Sequence, residues 1–579
     1  MRKPKLLQRL LVAAALLGVV PLSAQGTFPE NGVADSRQGH YAFTNATIFK
    51  DATTKITNGT LVIKDGKITA VGAGIKVPAG AVEINCEGKF IYPSFIDIYS
   101  DYGISAAAAP AGPGGGGFGT QPQLNSTEKG PMGWNQALKS DVDAYRQFTI
   151  DDAKAKPLRE AGFGAVLSHV KDGIARGTGT VATLATTKEN FVIIKDRATA
   201  HYSFSKGSSR QSYPSSMMGT IALLRQTFLD AQWYKSKPAK EGLNLTLQAW
   251  NDNLSLPQIF EANDKWNSVR ADRIGDEFGV QFIIKAGQNE YQRIKEMKAT
   301  NASFILPLNF PAAMDVEDPA EARFVALTDM KHWEMAPAHA AAFEKAGVPF
   351  CLTTADLRSA GLFWPNLRKA MEYGLSETKA FEALTKIPAQ LLGVYDKVGS
   401  LDNGKLANFL ITSGPIFNEK TSILYNWVQG IKYSVKDDVS EFAGLYDVVV
   451  TTPAGKEKYK LDITNGSTAT LIGTDTMQVR FTHDGKQVKL NYAPAAKRGS
   501  RGPAGAGRGG ASSALPATAV RLVGMQNGST LNGTGVDSLG NTLTWVANFV
   551  KAAAPKLDST AKKPVPEIGK VTYPFLPFG

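Results

Sequence analysis

Apolar and polar positions alternate with period two near the start of the chain and again near its end, with a different rhythm in between. Ala46-Thr47-Ile48-Phe49 leads to Thr60-Leu61-Val62-Ile63-Lys64 and, past Asp65-Gly66, to Lys67-Ile68-Thr69-Ala70-Val71-Gly72. Alternating runs on both sides of an Asp-Gly pair predict a β-hairpin. The middle of the chain repeats a unit of helix, glycine and apolar strand. Leu158 to Ala161 passes through Gly162 and Gly164 into Ala165-Val166-Leu167; Ile274 and Phe278 precede Gly279 and Val280-Gln281-Phe282-Ile283-Ile284; Phe343 and Ala346 precede Gly347 and Val348-Pro349-Phe350-Cys351-Leu352. Glycine just past a helix accepts the left-handed conformation that ends it, and a wholly apolar strand suits burial on both faces. Such units over roughly three hundred residues predict a parallel α/β barrel. Ser376 opens a last barrel helix carrying Ala380, Ala383 and Leu384, stopped near Pro388. From about Glu441, runs at 446–450, 458–463, 476–481, 487–490, 519–523 and 542–545 alternate between Gly and Asn turns, predicting an antiparallel β-domain.

Length and composition refine this picture in a few places. At 579 residues the chain exceeds one ordinary core, and 43% hydrophobic with 20% charged residues is a globular balance. Arg2, Lys3, Lys5 and Arg9, the apolar run Leu10 to Val20 and Leu22-Ser23-Ala24 read as a secretory leader, too short to span a bilayer. Its removal takes four positive charges from the net +12, a modest remainder that supports solubility and does not point to nucleic acid. Cys86 and Cys351, both within apolar runs, are expected as buried thiols. The Ala/Pro/Gly stretch Ala106 to Gly119 lacks the Gly-Lys-Ser/Thr of a phosphate loop, and the Gly/Ala/Arg stretch Ala493 to Ala517 reads as a solvated linker.

Two stretches carry a family resemblance. The hairpin ending Asp65-Gly66-Lys67-Ile68 and the run Phe90-Ile91-Tyr92-Pro93-Ser94-Phe95-Ile96-Asp97 resemble the opening of amidohydrolase-superfamily chains. Ile387-Pro388-Ala389-Gln390-Leu391-Leu392-Gly393, then Gly399-Ser400-Leu401-Asp402-Asn403-Gly404-Lys405-Leu406-Ala407-Asn408, resembles the segment with which that family leaves its barrel. The resemblance covers about 43–95 and 157–415. Asp172 to Gly179, a turn-rich loop, together with Trp333, Ala336, Pro337 and Ala346-Gly347-Val348, is similar to degenerate front halves of long two-barrel exported bacterial amidohydrolases. It implies an α/β fold: a TIM-type (β/α) barrel over 93–392, a composite β-sandwich from 25–92 and 393–435, and the additional antiparallel β-domain over 440–550. A leader (1–24) and an extended Pro-rich tail (551–579) flank these units.

The family holds one or two divalent metals, usually zinc, on four histidines and an aspartate at the C-terminal rim of the barrel. By resemblance, those ligand positions fall here on Tyr99, Asp101, Glu261, Ala286 and Ala355. A methyl group donates no lone pair, and Lys285 beside Ala286 adds a positive charge that opposes a cation. Asp356 follows one residue late, turned away unless its strand bulges. The six histidines show no HxH pair, and only His169 ends a strand-like run. No cofactor is therefore expected, Tyr99 and His169 are barrel-mouth binding candidates, and Asp101, Glu261 and Lys285 are the catalytic candidates if a rebuilt acidic site works.

The expectation that follows is a pseudoenzyme of the amidohydrolase family. It would be exported, secreted to a bacterial periplasm, with no stable membrane span in its mature form. Its implied partner is a paralogous active amidohydrolase, docked through the tail and the β-domain. The alternatives are an active hydrolase of C–N bonds, on peptide or non-peptide substrates, and a small-ligand binding module.

Overall fold

Asp65 and Gly66 both take positive φ, 51° and 76°, the pairing that a two-residue hairpin turn between twisted strands requires. The computed structural model describes residues 39–105, 123–236, 242–436, 442–463, 468–484, 486–493 and 519–552. The leader, the glycine-rich stretch after the first barrel strand, nearly all of the basic Gly/Ala/Arg stretch and the Pro-rich tail lie outside the described residues.

The chain opens with β1 (His40–Phe49), β2 (Lys55–Lys64), β3 (Lys67–Ala73), β4 (Val82–Asn85) and β5 (Phe90–Pro93). The barrel strands follow: β6 (Phe95–Ser100), β7 (Phe163–Ser168), β8 (Ala175–Thr183), β9 (Ile193–Ser203), β10 (Gln258–Glu261), β11 (Phe282–Lys285), β12 (Phe304–Pro307) and β13 (Phe350–Thr353). Three strands after the barrel, β14 (Phe409–Thr412), β15 (Ile423–Val428) and β16 (Ile431–Ser434), return to the first sheet. There β14 pairs antiparallel with β5, Ile411 opposite Ile91. One eight-stranded sheet is thus built from both flanks of the barrel, around a core that includes Phe43, Ile63, Cys86, Phe409 and Trp427.

The barrel sheet runs in chain order from β6 to β13, and β13 comes back beside β6. Its interior is packed with Ile96, Ile98, Leu167, Val181, Ile259, Ile283, Ile305 and Cys351, so it is a filled core rather than a pore. Both cysteines are free and buried. One strand departs from the all-parallel expectation: β8 is antiparallel to both β7 and β9. The residues expected as a turn-rich loop, Asp172 to Gly179, enter this reversed strand. A Gly-rich, Arg-containing run conceals it, because neither alternation nor an apolar block marks it as strand.

The last unit is a closed antiparallel barrel: β17 (Gly444–Thr452), β18 (Gly455–Ile463), β19 (Thr468–Ile472), β20 (Thr476–Asp484), β21 (Gln487–Tyr492), β22 (Val520–Asn527), β23 (Thr530–Val536) and β24 (Thr542–Ala552). Val448, Leu461, Phe481, Leu490, Leu522 and Trp545 fill it. Two of the eight strands, β19 and β23, are not legible as alternating runs; β23 holds only Leu531 and Val536 as large apolar residues. Gly524 is small because the Trp545 ring lies on it: a Cβ there would stand 2.6 Å from Cζ2 of the indole. Among the described residues, no helix is long and apolar enough to cross a membrane.

Candidate functional site at the barrel mouth

Strand β6 delivers the first side chain. Its pairing with β7 slips by one residue between Asp97 and Ser100, a bulge, and Tyr99 is buried among the barrel-interior residues. Asp97, fully buried, faces the seam with β13. It accepts hydrogen bonds from Tyr99 N (3.1 Å), Thr353 Oγ1 (2.6 Å), Thr354 N (3.1 Å) and Thr354 Oγ1. Burial raises the Asp97 carboxyl above its ordinary range, partly offset by these donors. The carboxylate thus staples the first barrel strand to the last.

Arg176, at the start of the reversed strand β8, reaches across the mouth. Its Nη1 donates to Tyr99 Oη at 3.0 Å and to Glu261 Oε2 at 2.5 Å, and its Nε to the Gly173 carbonyl at 3.1 Å. Burial alone would raise the Glu261 carboxyl, but Arg176 and Lys285 hold it below its usual range. Burial lifts the Tyr99 phenol well above its ordinary value, Arg176 opposing, so it stays protonated. Lys285, with 1% of its side chain exposed, donates to Asn263 Oδ1 at 3.1 Å and pairs with Asp356. Asp356 takes φ +66°, and that backbone turn brings back the carboxylate expected to point away.

Two histidines that look unrelated in sequence meet here. The His169 and His201 rings stack with centroids 3.8 Å apart and planes 5° apart, and Tyr99 stands edge-on to His169 at 4.5 Å. His201 Nε2 and Thr199 Oγ1 are 2.8 Å apart, while His201 Nδ1 and both nitrogens of His169 have no hydrogen-bond partner. Burial first, then for His169 the facing His201, and for both rings the neighbouring cations Arg176 and Lys171, push the imidazoles well below their ordinary pKa, so both are neutral.

Asp101 does not join this group. Its side chain is 67% exposed and pairs with Lys171 at 3.6 Å. Ala286 and Ala355 are buried and offer only methyl groups. Glu261, Lys285, Tyr99 and His169 are brought together. Arg176, His201, Asp97 and the Asp356 pairing were not singled out from sequence. Asp97 alone left a trace, a charge inside the apolar run Phe95-Ile96-Asp97-Ile98.

These residues do not fit the zinc that the fold implies. A metal ion lies near the plane of each imidazole that binds it, and two parallel planes 3.8 Å apart share no such point. Glu261 is held by a guanidinium, and the Lys285 ammonium lies where a cation would be repelled. Among the described residues, no group of three or more His, Cys, Asp and Glu side chains converges.

The scaffold is thus an α/β barrel with a side sheet drawn from both its flanks and polar side chains gathered at the C-terminal ends of the strands. Residues 294–453 match the Amidohydrolase family model. An amidohydrolase from Thermotoga maritima MSB8 shares the fold at TM-score 0.54 and 22% identity, covering 68% of this chain and all of that one. A prolidase complexed with N-methylphosphonate-L-proline (14% identity, TM-score 0.41, 69% and 100% covered) and phenylurea hydrolase B (14%, 0.41, 69% and 97%) are more distant matches. No curated protein matches the chain. Over residues 294–453 the chain is similar to the amidohydrolase family, and its barrel with the side sheet shares the fold of the Thermotoga maritima amidohydrolase.

Proposed function

We propose that this protein is an exported, non-hydrolytic amidohydrolase-fold subunit that assembles with an active paralogue. The observation that carries the reading is the pair of ion pairs across the mouth, Arg176–Glu261 and Lys285–Asp356. They put two fixed cations where a hydrolytic metal would sit, and each neutralises a carboxylate that would otherwise serve as ligand or base. Asp101, the remaining catalytic candidate, faces solvent.

A surface for a partner supports the second half of the reading. Helix Leu327–Met335 buries none of its residues, and Phe324, Leu327, Met330 and Trp333, spaced three apart, are all exposed. An apolar row of this kind on a soluble domain marks a contact surface.

The test is metal content and turnover of the purified full chain after incubation with zinc and dialysis. The expected result is zinc far below one equivalent and no hydrolysis of dipeptides or cyclic amides. Stoichiometric zinc with turnover lost in Glu261→Gln would overturn it. Affinity capture from the native periplasm tests the partnership, and recovery of no metal-bearing amidohydrolase would count against that part alone.

A small-ligand binding reading has one observation in its favour, the unpartnered nitrogens of His169 and His201. A ligand seated there would raise the melting temperature of the full chain and lose that effect in His169→Phe.

A further inference from the structure

A cleft of about 360 Å³ lies far from the mouth, where the barrel meets the side sheet. Its position follows from Trp364, which packs on Phe95 at 5.9 Å between ring centroids and donates its Nε1 to the Ala161 carbonyl at 3.1 Å. Phe95 is the first residue of β6, and Tyr99 is near its other end. The cleft is therefore separate from the cluster of Arg176, Glu261 and Lys285.

Four of its nine lining residues are apolar, and two are cationic. Trp364, Ile416 and Ile423 form a wall, and Arg368, Lys436 and Ser422 supply donors. Lys436, exposed at the rim, donates to Ser422 Oγ at 3.0 Å, which leaves that hydroxyl's proton for a further acceptor. Arg368 lies over the Trp364 ring, 5.4 Å from its centroid, and its buried Nε has no hydrogen-bond partner. The contrast with Arg159, close by, is informative: that guanidinium donates to the Leu184 carbonyl at 2.9 Å and to Asp152 at 2.5 Å. One acidic side chain also lines the cleft, Glu160, and it already lies 4.0 Å from Lys156.

The Arg368 side chain lines the cleft, and arginine's planar, always charged fork matches a carboxylate. The volume lies within the range of small-molecule sites, which pair apolar walls with a few placed polar groups. We propose that this cleft binds a small organic carboxylate, its head on Arg368 and Lys436 and its apolar body against Trp364, Ile416 and Ile423. Burial lowers the Arg368 pKa and Glu419 opposes that shift; an arginine so placed stays cationic at neutral pH.

The test uses the full chain and three probes of one shape: 3-phenylpropionate, 3-phenylpropan-1-ol and 3-phenylpropylamine. Calorimetric titration is expected to show saturable binding of the acid only. Arg368→Gln should weaken it by about tenfold or more, since it removes a charge-assisted bidentate partner. Arg368→Lys should retain part of the affinity, and Lys436→Gln, at the exposed rim, should weaken binding by a few-fold without affecting folding. Circular dichroism melts check each variant, and Lys436→Gln keeps the test decisive if Arg368→Gln does not fold. Equal binding of acid and alcohol, no saturable binding of the acid, or acid affinity unchanged in Arg368→Gln and Lys436→Gln would overturn the proposal.

Discussion

The imidazoles of His169 and His201 lie face to face inside the barrel, 3.8 Å between centroids, although 32 positions separate them in the chain. Both are fully buried beside Arg176 and Lys171, and both have a folded-state pKa well below 6.5. The consequence for stability follows from proton counting. Above about pH 6.5 the two histidines are neutral in folded and unfolded chains alike and contribute no pH dependence. Below that value the unfolded chain binds protons that the folded chain refuses, so stability falls as pH falls. The expected loss approaches ~1.4 kcal/mol per pH unit for each histidine. Melting temperatures from pH 7.5 to 5 should decline, and the double variant His169→Phe, His201→Phe should decline less steeply. An identical slope in that variant would refute the assignment.

Arg176 is predicted to matter more for stability than an exposed cation would. Arg176→Met leaves Glu261 largely buried without its partner and removes the donor to Tyr99. A cost of about 3 kcal/mol is expected in urea unfolding, because breaking a buried pair leaves an uncompensated charge. Adding Glu261→Gln should recover a substantial part. A double variant as unstable as the sum of the singles would show that the pair is not coupled.

Asp97 ties β6 to the end of β13 through three donors from Thr353 and Thr354, and also accepts from Tyr99 N in its own strand. Asp97→Asn replaces one accepting oxygen with a donor that faces Thr353 or Thr354. The expected destabilisation is about 2 kcal/mol, and Thr353→Val, which removes one bond, should cost less. Both values come from denaturant midpoints with unchanged slopes.

Chelation should leave the fold untouched. If the mouth is held by Arg176–Glu261 and Lys285–Asp356, excess EDTA followed by buffer exchange will not shift the melting temperature. A downward shift that zinc restores would mean that a metal stabilises the folded chain.

The candidate site was legible in the sequence only where residues sit beside a family motif. Tyr99, Glu261 and Lys285 could be located because each lies at the end of an apolar run whose surroundings resemble known barrel strands. Arg176 could not, because its strand is reversed and built from glycine, threonine and alanine, which no periodicity betrays. His201 ends a strand separated from His169 by a further antiparallel strand, and their stacking is a consequence of β8 lying between β7 and β9. The position of Asp356 depended on a single left-handed residue, a local choice that an Ala-Asp-Leu sequence does not announce.

The order of apolar runs, the Asp-Gly turn and the helix-ending glycines by themselves determined the barrel, the opening hairpin and a strand-rich final unit, because these depend on local period and turn chemistry. The return of the chain after the barrel to the first sheet was implied by the family resemblance. Closure of the last eight strands, reversal of β8 and the partnering of Arg176 with Glu261, Lys285 with Asp356 and His169 with His201 were decided only by tertiary structure. Each joins residues far apart in the chain, and their pairing is set by strand register and desolvation, quantities that exist only once the barrel has formed.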